Sequence, residues 1–182
     1  MGVRRARDGD VEAIAAVHVT GWRETYPGLI PKSVLDRLSV EALAGYWRRV
    51  LAPGASGEAW IAELGGAVVG FGVCGPEQSG LADHLGEFQA LYVLRRGQGR
   101  GLGRALMAAM AGSLGEGGLE PAVVWTLRDN WRARSFYEKL GGRRISERPL
   151  DFDGTVVMEV AYGWTDLGPL VRSSPAEDRR WS

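Results

Sequence analysis

From Tyr92 to Met107 the chain reads YVLRRGQGRGLGRALM, with glycine at every second position from Gly97 to Gly103. An apolar run precedes the glycines and a helical pattern follows them. Glycine loses more backbone freedom on folding than any other residue, so this spacing at a strand-to-helix junction implies a task for the backbone itself. The start of a helix presents unpaired N–H groups and the positive end of the helix dipole, and glycine lets an anion such as phosphate come close to them. Two nucleotide patterns are excluded. A P-loop ends in Gly-Lys-Ser/Thr, whereas Gly103 is followed by Arg104 and Ala105. A dinucleotide fingerprint needs glycine at its sixth position, which is Leu102 counted from Gly97 and Arg104 counted from Gly99. What remains is Gln98-x-x-Gly101-x-Gly103.

The rest of the chain alternates between periods of two and 3.6 residues. Residues 3–7 read as a short edge strand, and Asp8 as the cap of a helix striped by Val11, Ile14, Ala15, His18 and Trp22. Pro27, Gly28 and Pro31 stop that helix, Ser33 and Ser39 look like caps, and a second helix carries Leu43, Tyr46, Trp47, Val50 and Leu51 on one face. Residues 53–57 read as loop. Residues 58–64 and 67–75 form a hairpin about Gly65-Gly66, and 87–94 a third strand. Beyond the glycines come a helix striped by Leu102, Leu106, Met110 and Leu114, a strand at 122–128, and a helix striped by Ala133, Phe136, Tyr137 and Leu140. Two closing strands, 143–150 and 155–164, precede a tail from Thr165 expected to be loosely ordered. The order predicts one α/β domain over residues 1–164, with about seven strands and about four helices.

Composition narrows the function. Lys+Arg and Asp+Glu both number 22 among 182 residues, so the net charge is zero. That disfavours a dedicated nucleic-acid binder, which needs a basic excess to neutralise phosphates. One cysteine, Cys74, excludes an internal disulfide and points to a reducing, cytoplasmic setting; it reads as a buried structural thiol. No apolar run approaches a membrane span, and two distant histidines with one cysteine offer no metal site. His18, on the first helix's stripe, reads as a packed core histidine.

On two motifs the sequence resembles the GNAT N-acetyltransferase superfamily. Gln98-x-x-Gly101-x-Gly103 after a strand and before a helix is similar to the family's Gln/Arg-x-x-Gly-x-Gly/Ala. NWRARSFYEKLGG, running from Asn130, is similar to N-x-x-A-x-x-F-Y-x-x-x-G-F, with Tyr137 seven residues on. The family often has proline where this chain has Arg95, but the loop length to Gln98 is unchanged.

The resemblance implies a mostly antiparallel sheet with a splayed central strand pair, and acetyl-CoA as co-substrate in the gap. Its pyrophosphate would lie on the backbone of Gly99, Arg100, Gly101, Gly103 and Arg104, and its pantetheine arm along Leu91, Tyr92 and Val93. Gln98, Arg100 and Arg104 would add charged or polar contacts, and Asn130 would bind cofactor, cap its helix, or do both. Acetyl would pass directly to an amine, with Tyr137 protonating the leaving sulfur, a backbone N–H near Val93 holding the oxyanion, and Glu87, or a water, serving as base. Trp22 and Tyr26 fall where the family builds its acceptor pocket. The acceptor is left open between a small-molecule amine and a protein amine, and members often form homodimers. The competing reading is a non-catalytic module that binds coenzyme A without turnover.

Overall fold

The computed structural model describes residues 1–52 and 54–172. It runs β1 (Gly2–Arg5), α1 (Val11–Thr25), α2 (Lys32–Asp36), α3 (Val40–Val50), β2 (Glu58–Leu64), β3 (Ala67–Pro76) and β4 (Gly86–Val93). Then follow α4 (Leu102–Glu116), β5 (Ala122–Leu127), α5 (Trp131–Lys139), β6 (Arg143–Phe152), β7 (Thr155–Trp164) and α6 (Gly168–Arg172). The seven strands form one sheet in the order β1-β2-β3-β4-β5-β7-β6. Every pairing is antiparallel except that of β4 with β5.

Two cores sandwich this sheet, giving the helix–sheet–helix layering of an α/β fold. On one face Met107, Met110 and Leu114 of α4 pack with Phe88, Val124 and Tyr137. On the other, Ile14 and Ala15 of α1 and Trp47 of α3 pack with Ile61, Phe71 and Val73. Each large apolar side chain so buried contributes roughly 1.5–3 kcal/mol of transfer free energy.

Local signals hold with two exceptions at helix starts. Ser39 Oγ accepts the Ala42 N–H at 3.1 Å and caps α3, but Ser33 lies inside α2, which Pro31 opens. Asp8 begins a 3-10 turn rather than capping α1; Asp10 accepts the Arg7 N–H at 2.8 Å and holds the Arg4 guanidinium. The arginine next door made Asp10 the better anchor.

The expectation of a loosely ordered tail needs correction for residues 165–172. Leu167 and Leu170 are 0% and 2% exposed and join the α4 core, with α6 docked on that side of the sheet. Prolines and polar residues in the tail hid a leucine pair at helical spacing. Residues 173–182, covered by the same expectation, lie outside the described residues, as does Pro53 of the expected loop.

Candidate active site

The parallel pair β4–β5 is joined only at Gly86–Ala122 and Glu87–Val123, and the strands diverge from Phe88 onward. A cleft of about 820 Å³ opens in the gap, within the ~300–1,000 Å³ usual for small-molecule sites. Its floor is the free edge of β4. The Leu94 N–H donates to Val69 O of β3 at 2.8 Å, so strand alternation turns the N–H and C=O of Val93 and Leu91 toward the gap. Tyr92, between them, turns its backbone toward β3, and its side chain lines the cleft instead.

The glycines divide into two kinds. Gly99 and Gly101 adopt φ of +72° and +80°, a region L side chains rarely enter, and a Cβ on Gly99 would stand in open space. A Cβ on Gly97 would come within 3.0 Å of Val69, and one on Gly103 within 3.3 Å of Phe136, so these two permit close packing. Gly101 directly precedes α4, whose first-turn N–H groups have no carbonyl one turn earlier to bond. Gln98 donates from Nε2 to Val93 O at 2.8 Å, so its amide braces the loop against β4. Gln98, Gly99, Gly101, Gly103 and Arg104 line the cleft, whereas Arg100 is exposed outside it.

Tyr137 reaches the cleft from α5 and is 5% exposed, and its hydroxyl has no hydrogen-bond partner among the described residues. Burial, aided by the nearby Tyr26, holds its pKa well above the ordinary tyrosine range. It therefore keeps its proton throughout the physiological range. Asn130 caps α5, its Oδ1 accepting the Ala133 N–H at 3.2 Å, and also lines the cleft. Tyr26, at the end of α1, shares a 2.8 Å hydroxyl–hydroxyl hydrogen bond with Tyr92. Burial raises both phenols, so the pair is neutral at physiological pH.

Two expected site residues stand back. Trp22 packs edge-on behind Tyr26 with ring centroids 5.1 Å apart and does not line the cleft. Its place on the α1 stripe turned it toward His18, which does pack among Trp22, Trp47, Phe71 and Tyr92. Glu87 is half-buried where β4 and β5 are still paired, outside the cleft lining, on the sheet face opposite Phe88. Its Oε2 accepts the Gln78 N–H at 2.9 Å. Desolvation raises its pKa above the usual glutamate value despite that bond, with Glu77 and Glu159 adding to the rise and Arg148 opposing it. Cys74 is buried with its thiol pushed up to about 12, as suits a structural cysteine.

The structure also brings in Trp131, which sequence reasoning passed over, and gives a partner to Glu24, the fallback carboxylate should Glu87 not be the base. Trp131 opens α5 and lines the cleft while 68% exposed, with the Arg132 guanidinium 5.4 Å from its ring centroid. The available signal was an aromatic lying off the Ala133–Phe136–Tyr137–Leu140 stripe, hence unclaimed by the core. Glu24 lines the opposite end, its carboxylate accepting the Arg95 N–H at 2.8 Å. The long spacing between Glu24 and Arg95 gave no local cue. Among the described residues no three His, Cys, Asp or Glu side chains gather as metal ligands, and no helix is long and apolar enough to cross a membrane.

Residues 22–142 match the acetyltransferase (GNAT) family. Over 169 residues the chain is 34% identical to an uncharacterized N-acetyltransferase of Bacillus subtilis, the match covering 92% of this chain and 95% of that one. Over 180 residues it is 30% identical to a probable N-acetyltransferase of Mycobacterium tuberculosis, covering 95% of each. Its fold is similar to the solved structure of a putative acetyltransferase from Salmonella typhimurium with its cofactor acetyl-CoA, with a TM-score of 0.70, 19% identity and 98% of both chains covered.

Proposed function

The chain belongs to the GNAT acetyltransferase family, and on that premise we propose that this acetyl-CoA-dependent N-acyltransferase moves acetyl to a primary amine by direct attack on the thioester. The observation that carries the reading is the pairing of a free β4 edge with a buried, protonated Tyr137 hydroxyl in one cleft. The fit to coenzyme A rests on this chain's own groups. Leu91 presents its N–H and C=O, and Val93 its N–H, as unpaired backbone for the pantetheine arm, the Val93 carbonyl being held by Gln98. Gly99, Gly101 and the first turn of α4 present N–H donors for the pyrophosphate, with Arg104 and Arg132 supplying positive charge at the same cleft.

Each step then falls to a named residue. The Val93 N–H holds the oxyanion that develops on the thioester carbonyl as the C–N bond forms. Tyr137 gives its proton to sulfur as the C–S bond breaks, and one of the two protons the ammonium sheds restores the phenol. Glu87 takes the other through water, since it stands outside the cleft lining. Its raised pKa suits that work near neutral pH.

The experiment is thiol release from acetyl-CoA across a panel of primary amines, beside calorimetric titration with coenzyme A. Micromolar binding together with amine-dependent thiol release is expected. Binding without turnover on any amine would favour the non-catalytic module, and absence of binding would remove the reading altogether.

A further inference from the structure

We infer that the acceptor is a compact small-molecule amine rather than the N-terminus or a lysine of a protein, because the acceptor side of the cleft is walled off. The inference rests on the acetyl-transfer reading. With phosphates assigned to the start of α4, coenzyme A occupies the sheet face that α4 and α5 cover, and the amine must come from the α1 face. There the compartment lies between the end of α1, with segment 26–38, and the outer strands β5, β7 and β6.

Arg148, Leu150 and Phe152 alternate along β6 and so share that face, about 7 Å apart from one to the next. All three positions are taken. Arg148 donates from Nε to Glu159 at 2.5 Å and from Nη1 to Ser79 O at 2.6 Å. Its guanidinium carbon lies 4.0 Å from the Trp125 ring centroid, and Trp125 Nε1 donates to Ser79 Oγ at 2.7 Å. The β3–β4 loop is thereby tied to both β5 and β6. Leu150 and Phe152 pack in one apolar cluster with Leu127 and with Ile30 and Leu35 of segment 26–38. An ion pair between Arg37 and Asp153 holds the same segment to the β6–β7 turn, and Arg23 closes it onto α1 through Leu38 O at 3.1 Å.

A protein terminus reaches a buried thioester as an extended chain, advancing about 3.3 Å per residue, so four residues need an open groove about 13 Å long. The inward row of β6 leaves no station for one. Where the β3–β4 loop lets go at Arg148, segment 26–38 takes over at Leu150. What is left lies beside Tyr26 and Trp125, which both line the cleft.

The test is a length series read by thiol release: simple primary amines and amino-acid amides, then di-, tetra- and hexapeptides with free N-termini, and a lysine peptide blocked at its N-terminus. A fall in kcat/KM of about 100-fold or more from amide to tetrapeptide is expected, with the lysine peptide equally poor. Phe152→Ala, which thins the seal outside the cleft lining, is expected to shrink that penalty about 10-fold with coenzyme A affinity unchanged. Arg37→Ala, at an exposed position safe for folding, is expected to shrink it in the same direction. A flat or rising dependence on length in the parent protein overturns the inference and leaves acetyl transfer standing, as does a penalty unmoved by either variant. If a protein that binds coenzyme A acetylates nothing in the series, the catalytic reading falls first and this one with it.

Discussion

Tyr137 and Glu87 both have pKa values raised by burial, with opposite consequences for chemistry. The phenol is held so high that it is protonated throughout the working range, which suits an acid. Tyr137→Phe keeps the ring in its core and removes only the hydroxyl. A fall in kcat of about 10²-fold is expected, with coenzyme A affinity by calorimetry nearly unchanged. Glu87 titrates at a pH above that of an ordinary glutamate, so a base there works only above its raised pKa. The parent's kcat should decline as pH drops through that value and the carboxylate protonates. Glu87→Gln should lose about 10-fold or more at pH 7, regain ground as pH rises and free amine becomes abundant, and lack the acid limb. A pH–rate profile of the two proteins checks this. If the profiles coincide, Glu24, which lines the cleft, becomes the carboxylate to test. Residue identity was readable at both positions because each sits at a fixed distance from a local motif. Whether a side chain reaches the gap was not, as Trp22 and Trp131 show from opposite sides.

At the scale of elements, the junction of β4 with α4 carries most of what the cofactor needs. Gly101 has φ of +80° and lines the cleft directly before α4, so Gly101→Val acts twice: it strains the turn and adds bulk where an anion would approach the backbone. Loss of measurable coenzyme A binding is expected from a protein whose far-UV circular dichroism is unchanged. Unaltered affinity would remove the pyrophosphate from this loop. The Gln98 amide, spent on Val93 O, belongs to the scaffold of the junction rather than to the ligand. Its motif position was legible while its partner was not, because a glutamine side chain can turn either to a ligand or back to its own strand.

Across the whole molecule, the last described segment packs into the core beneath α4. Leu167 and Leu170 sit among Met107, Leu114 and Trp164, so Leu167→Ala should cost about 2–5 kcal/mol, measured by urea unfolding, although it lies in a stretch that reads as tail. A neutral Leu167→Ala would show that α6 docks without bearing on stability. The sequence by itself determined the order of the strands and of the four longer helices, the α/β fold class, the glycine junction and the family resemblance. All of these rest on periodicities and spacings within about a dozen residues, where local geometry and hydrophobic burial act directly. Only the tertiary structure decided that β4 and β5 part just beyond Glu87, that Trp131 reaches the cleft while Trp22 stands behind Tyr26, and that α6 joins the core. It alone brought Ser79 to Arg148 and Arg37 to Asp153, closing the acceptor side. Those pairings depend on strand order and on side chains 69 and 116 residues apart in sequence, and no local preference encodes such a meeting.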